Sequence, residues 1–147
     1  MAPIAVPLTR FKWPVAASRT IAAPASKIWE VISSPGELPH YHPLCEKNPV
    51  FSWPGPESHD EIHYFNGVIL ERRFTSWHDD VGYDLKIGRA GGRTSVVSWR
   101  ITPMGDHRSS IEIAIYPHAV QKIPITARWM PHFFWIQPQL RRYLQSV

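Results

Sequence analysis

DEIHYFNGVILERRF, residues Asp60 to Phe74, holds an Asn-Gly pair between two runs rich in β-branched and aromatic residues. Asn-Gly is the strongest short hairpin signal, because both central positions of a type I′ turn need φ > 0. A two-residue turn at Asn66-Gly67 predicts that Phe65 faces Val68, His63 faces Leu70, Glu61 faces Arg72 and Asp60 faces Arg73. Opposite charges then meet twice across the pair, which favours that register. One face carries Phe65, Val68, Leu70 and Phe74 together with His63, Glu61 and Arg72, and this is the expected inward face. The other offers Ile62, Tyr64, Ile69, Glu71 and Arg73. An inward Glu61–Arg72 pair would be a polar handle for a ligand carboxylate or hydroxyl. The same pair exposed at an edge would contribute only about 0–1 kcal/mol and set register alone.

Outward from the hairpin, turn-rich and alternating segments take turns. HDDVG leads into YDLKIG, where Tyr83, Leu85 and Ile87 alternate with Asp84 and Lys86. RAGGR leads into TSVVSWRIT, with Val97, Trp99 and Ile101 on one side, and PMGDHRS into SIEIAIYP, with Ile111, Ile113 and Ile115. Five short strands in sequence read as an antiparallel meander, one face covered and one wet. Upstream, Trp13–Ala23 alternates as a strand with Val15, Ala17, Arg19 and Ile21 on one face. APASKIWEVISSPG follows as a helix, Pro24 in its first turn and Pro35-Gly36 at its stop. Residues 36–60 read as loop, with a short helical turn or edge strand near Glu46–Trp53.

Something must cover the sheet. RWMPHFFWIQPQLRRYL, Arg128–Leu144, places Trp129, Phe133, Ile136, Leu140, Leu144 and Val147 at steps of three or four, the stripe of a core-facing helix. Pro138 should kink it. Arg128, His132 and two prolines make it a poor transmembrane span. Met130, Phe134 and Trp135 leave its first half apolar nearly all round, and with Arg128, Arg141 and Arg142 they suggest transient contact with a membrane surface.

Composition narrows the function classes. An apolar share of 44% against 19% charged fits one globular domain rather than a disordered chain. The net charge of +4 comes without any long basic run, so no nucleic-acid footprint is expected. Cys45 is the single cysteine, which excludes an internal disulfide and points to a reducing, cytoplasmic setting. The N-terminus lacks the basic and apolar regions of a secretory signal. His40, His42, His59 and His63 match no zinc spacing, so neither metal nor cofactor is expected. His42, His63, Tyr64 and Tyr116 are the side chains able to do acid–base work near a cavity, yet no nucleophile–base–orienter set is visible among them.

SRTIAAPASKIWEVISSPGELPHYHPLCE, with Trp29 and the His42-Pro43 pair, resembles the opening of the START/polyketide-cyclase (SRPBCC) superfamily. YHPLCEKNPV, WPG, YFNG, RRFTSW, GYDLKIG, WRIT and QLRRYLQSV are similar to an uncharacterised bacterial group within it. The resemblance spans roughly Val15 to Val147 and implies an α+β helix-grip fold, a curved antiparallel sheet wrapped around a long C-terminal helix. It further implies one START-like ligand-binding domain over residues 1–147, with 1–12 an extended segment and the last helix continuing past Val147. A cavity under that helix would hold a hydrophobic small molecule, a lipid or polyketide-like compound, for carriage or sensing. Its candidate lining is His42, His63, Phe65, Leu70, Arg72 and Phe74 from the first half of the chain. Tyr83, Trp99, Tyr116, Trp129, Phe133 and Ile136 complete it. The alternatives are a cofactor-free cyclase or dehydratase using a cavity His or Tyr, and a structural or partner-binding domain with a filled core.

Overall fold

Strand-forming runs this short cannot bury a face alone, and the chain solves this by pairing all of them into one curved antiparallel sheet. The computed structural model describes residues 15–117. Its elements are β1 (Val15–Ile21), α1 (Ala25–Ile32), α2 (Leu38–Tyr41), β2 (Cys45–Lys47), β3 (Val50–Ser52), β4 (His59–Tyr64), β5 (Ile69–His78), β6 (Gly82–Gly88), β7 (Thr94–Pro103) and β8 (Ser109–Tyr116). The strand order is β1-β8-β7-β6-β5-β4-β2, with β3 also on β4. The five-strand meander is therefore β4 to β8, and β1 returns to pair with β8, Val15 opposite Ile115. The architecture is helix-grip-like. The expected C-terminal helix, with Trp129, Phe133 and Ile136, lies outside the described residues, as does segment 1–12.

Ile62, Phe74, Tyr83, Leu85, Val97, Trp99, Ile101, Ile111 and Ile113 form the inner face, against Ile28, Trp29 and Ile32 of α1 and Leu38 and Tyr41 of α2. Thr75 is an extra residue between the Phe74–Leu85 and Ser76–Asp84 pairs. This bulge bends β5 and lets both Phe74 and Trp77 point inward. α1 starts after Pro24, which is its N-cap rather than a first-turn residue. At its other end Ser33 Oγ donates to Trp29 O at 2.6 Å, and Trp53 Nε1 donates to Ser33 O at 2.9 Å. The stretch read as loop holds its helical turn at Leu38–Tyr41, with edge strands at 45–47 and 50–52.

Two expectations need correction. The hairpin turn has three residues: Gly67 N–H donates to Tyr64 O and Tyr64 N–H to Val68 O, with Gly67 at φ +86°. That is the next most common hairpin loop, with glycine in the left-handed position. The register slips by one, so Asp60 faces Arg72, Glu61 faces Glu71, Ile62 faces Leu70 and His63 faces Ile69. A one-residue slip turns a whole strand over. Ile62 and Tyr64 thus join Leu70, Arg72 and Phe74 inside, while Glu61 and His63 face outward. Second, the other sheet face is not uniformly wet, for Asp84, Val96, Ser98 and Ala114 are buried on it. Asp84 accepts from Ser76 Oγ at 2.6 Å and from Arg100 Nη2 at 3.1 Å, which makes its burial tolerable. Val15, Ala17, Arg19 and Ile21 share one face of β1 as expected, with Arg19 exposed on it.

Gly82 marks the tightest backbone approach. At φ +147°, a Cβ there would stand 1.9 Å from Trp99 O, whereas one on Gly67 would meet nothing within 4 Å. Gly82→Ala should lower unfolding free energy by roughly 3 kcal/mol or more, and Gly67→Ala by about 1–2 kcal/mol. Urea denaturation of the two variants checks the ordering.

Candidate functional site

The slip carries Arg72, in mid-β5, to the inner face directly opposite Asp60 of β4. Its Nε donates to Asp60 Oδ1 at 2.8 Å and its Nη2 to Oδ2 at 2.5 Å. Asp60 is 0% exposed and Arg72 4%. A pair this dry stands only if its remaining valences are met. Asn48 Nδ2 meets one, donating to Asp60 Oδ2 at 2.9 Å and to Glu61 O at 2.8 Å. The guanidinium also lies 5.1 Å from the Phe74 ring centroid.

Around the pair stand side chains whose titration is displaced from neutrality. Burial pushes the Tyr41 and Tyr64 phenols up to about 12 against the opposing pull of Arg72. Tyr83 rises for the same reason, and its hydroxyl donates to Ile32 O at 2.9 Å. Burial lifts the Cys45 thiol to about 11, so the thiolate form is suppressed. His42 goes the other way, lowered to about 4 by burial and by the Arg72 charge. Its Nδ1 accepts from Leu44 N–H at 3.2 Å, which puts the neutral ring's proton on Nε2. The His42 and Tyr64 rings meet edge-on at 5.6 Å. The cluster is thus one fixed cation, its carboxylate, and phenol and imidazole groups that stay neutral at pH 7. It can hydrogen-bond a ligand oxygen, but neither its phenols nor its imidazole titrate near pH 7, where general acid–base work is most efficient.

Phe74 separates this cluster from an aromatic groove. Its ring centroid is 5.1 Å from Trp53, 5.5 Å from Trp77 and 4.9 Å from Tyr83. The groove has a volume of about 770 Å³ and is lined by Trp29, Ser33, Pro35, Val50, Phe51, Ser52, Trp53, Pro54, Trp77 and Asp79.

Of the residues predicted from sequence, Leu70, Arg72, Phe74, Tyr83 and Trp99 share the inner face, and His42 flanks it beside Tyr64. Phe65 is 70% exposed at the hairpin tip. His63 lies on the outer face, its Nε2 2.8 Å from Glu61 Oε1. Tyr116 is also on the second face, where burial and then Glu112 and Asp84 raise its hydroxyl. Trp129, Phe133 and Ile136 lie outside the described residues. Among the described residues no three His, Cys, Asp or Glu side chains converge as metal ligands. Sequence reading missed Asp60, Asn48 and Tyr41, and the indoles of the groove. Tyr64, named from sequence for acid–base work but placed on the outer face, comes inside because the strand follows the alternation of Ile62 rather than the charges.

Asp60→Asn, which leaves Arg72 buried beside a neutral amide, should cost roughly 3–5 kcal/mol of stability by urea unfolding. Replacing the pair by Asp60→Leu with Arg72→Met should recover much of it. His42 adds a pH dependence. Between pH 6.5 and about 4 the unfolded ring holds a proton that the folded ring does not, so stability falls as pH drops through that window. His42→Asn should flatten that part of the profile, and an NMR titration should place the folded imidazole midpoint near 4.

Similarity to known proteins agrees with this fold. No curated protein matches the sequence. The fold superposes on the di-domain ARO/CYC BexL of the BE-7585A biosynthetic pathway with a TM-score of 0.72 at 10% identity, over 92% of this chain and 46% of that one. The chain therefore spans just under half of that di-domain protein. It superposes on the ZhuI aromatase/cyclase of Streptomyces sp. R1128 with a TM-score of 0.69 at 15% identity, over 91% of this chain and 90% of that one. XoxI of Bacillus cereus gives 0.66 at 12% identity, over 90% of this chain and 94% of that one. Identities this low speak to fold alone. The sequence model of the family described as polyketide cyclase / dehydrase and lipid transport matches residues 12–134, and the chain belongs to that family.

Proposed function

We propose that this protein binds a hydrophobic small molecule, for carriage or sensing, with its oxygen-bearing end at the Arg72–Asp60 cluster and its apolar body on the inner sheet face. One observation carries the choice of binding over catalysis. Burial holds Tyr41, Tyr64, Cys45 and His42 in their neutral forms at pH 7, where they can donate or accept hydrogen bonds. Such neutral groups orient a ligand hydroxyl or carbonyl at little desolvation cost. The reading includes one ligand-binding domain over residues 1–147, working in the cytoplasm, with Trp129, Phe133 and Ile136 on a long helix closing the cavity. It also includes passing contact with an anionic membrane through Met130, Phe134 and Trp135, which flotation with anionic vesicles checks.

The second reading is a cofactor-free cyclase or dehydratase. What favours it is Arg72, a buried cation that could meet negative charge developing on a substrate oxygen. That reading requires a proton acceptor, and neutral His42 is the described residue that could serve, though with low basicity.

Native mass spectrometry of gently purified protein, followed by extraction, tests the binding reading. A retained apolar compound with a hydroxyl or carbonyl end is expected. Tyr64→Phe should weaken its binding about three- to tenfold, the effect of one neutral hydrogen bond. A clean apo mass, together with turnover of a poly-β-ketone that His42→Asn abolishes, would replace carriage by catalysis.

A further inference from the structure

The groove beyond Phe74 has a chemistry of its own. Trp77 lies at its base, stacked on Tyr83 at 5.4 Å and 29°. Trp29 and Trp53 stand nearly perpendicular to it, at 76° and 88°, with centroids 5.3 and 5.2 Å away. Three indoles thus line one concavity, Trp77 set between two others roughly at right angles to it.

The polar lining is biased toward acceptors. Ser33 Oγ already donates to Trp29 O, and Ser52 Oγ donates to Glu57 O at 3.1 Å. Trp53 Nε1–H is spent on Ser33 O. These hydroxyls therefore present lone pairs rather than protons. The charged side chain among the described lining residues is a carboxylate, Asp79 at the exposed rim. In a chain whose net charge is +4, this groove locally favours positive charge. An anion would meet a carboxylate, and the Ser33, Ser52 and Trp53 donors are already used. An alkylated ammonium would meet aromatic π-systems, which attract cations, tryptophan most strongly.

We propose that this groove binds an organic cation, a quaternary or alkylated ammonium group, between Trp29, Trp53 and Trp77 with the Asp79 carboxylate as its counter-charge. The group could arrive as a free small molecule or as a lipid headgroup, and the chemistry recognised is the same. The site lies across Phe74 from the Arg72 cluster, and the two share that ring as a wall.

The test is saturation-transfer NMR on the trimethylammonium protons of choline, with 3,3-dimethylbutan-1-ol as the neutral probe of the same shape. Choline should bind at least about fivefold tighter than the alcohol, and Asp79→Lys should weaken it about tenfold or more. Asp79 is exposed, so this variant should keep the wild-type urea midpoint. Phosphatidylcholine and phosphatidylglycerol vesicles form the second arm. Asp79-dependent binding of free choline assigns a soluble cation. Asp79-dependent binding of phosphatidylcholine vesicles alone assigns a headgroup. Equal binding of choline and the alcohol, or binding indifferent to Asp79→Lys in both arms, overturns the proposal.

Discussion

A guanidinium and a carboxylate taken out of water must complete one another or cost several kcal/mol, and here that constraint sets how β4 lies on β5. The alternative register offers two opposite-charge pairs, Glu61 with Arg72 and Asp60 with Arg73. At an accessible sheet surface each contributes about 0–1 kcal/mol. The observed register gives up both and places Glu61 against Glu71, an unfavourable juxtaposition. What it gains is one bidentate Asp60–Arg72 pair that leaves neither buried charge unpaired, plus a buried Ile62 that contributes about 1.5–3 kcal/mol. His59, His63 and Arg73 then flank the two glutamates on the outer face, with His59 Nε2 and Arg73 Nη2 within 3.5 and 3.4 Å of Glu71 Oε1. The outer charges adjust to an arrangement chosen by the inner ones.

From that register the site follows. Arg72 faces inward, and its charge acts on Tyr41, Tyr64, Tyr83, Cys45 and His42 at once. Burial opposes it at each phenol and at the thiol, and reinforces it at His42. The net result is the same in kind everywhere: the neutral form is favoured. A single buried cation surrounded by neutral hydrogen-bonding groups is a means of orientation, and Asp60 keeps it from demanding an anionic ligand.

Much of the fold was legible because period-two alternation is robust to small errors. Strands β6 to β8 follow the apolar positions Leu85, Val97, Trp99, Ile111 and Ile113 closely. The site was less legible because it depends on one residue of register, and register rests on turn geometry that Asn66-Gly67 leaves open between two- and three-residue loops. The burial of Asp84 was hidden for a different reason. An aspartate in an alternating strand reads as solvent-facing, and only three-dimensional pairing reveals Ser76 and Arg100 around it. The groove was hidden because Trp29, Trp53 and Trp77 come from a helix, a loop and a strand end. Nothing in their spacing announces that they meet.

The bulge at Thr75 joins these two regions. Without the extra residue, Phe74 and Trp77 would lie on opposite faces, since strand side chains alternate. With it, Phe74 touches Arg72 on one side and the indoles of Trp53 and Trp77 on the other. A polar cluster and an aromatic groove, chemically opposite, therefore share one ring as their partition. Anything that displaces Phe74 to reach the cluster also moves the indoles of the groove. Occupancy on one side should thus alter the geometry on the other through direct packing, because interiors this densely filled transmit displacement rather than absorb it.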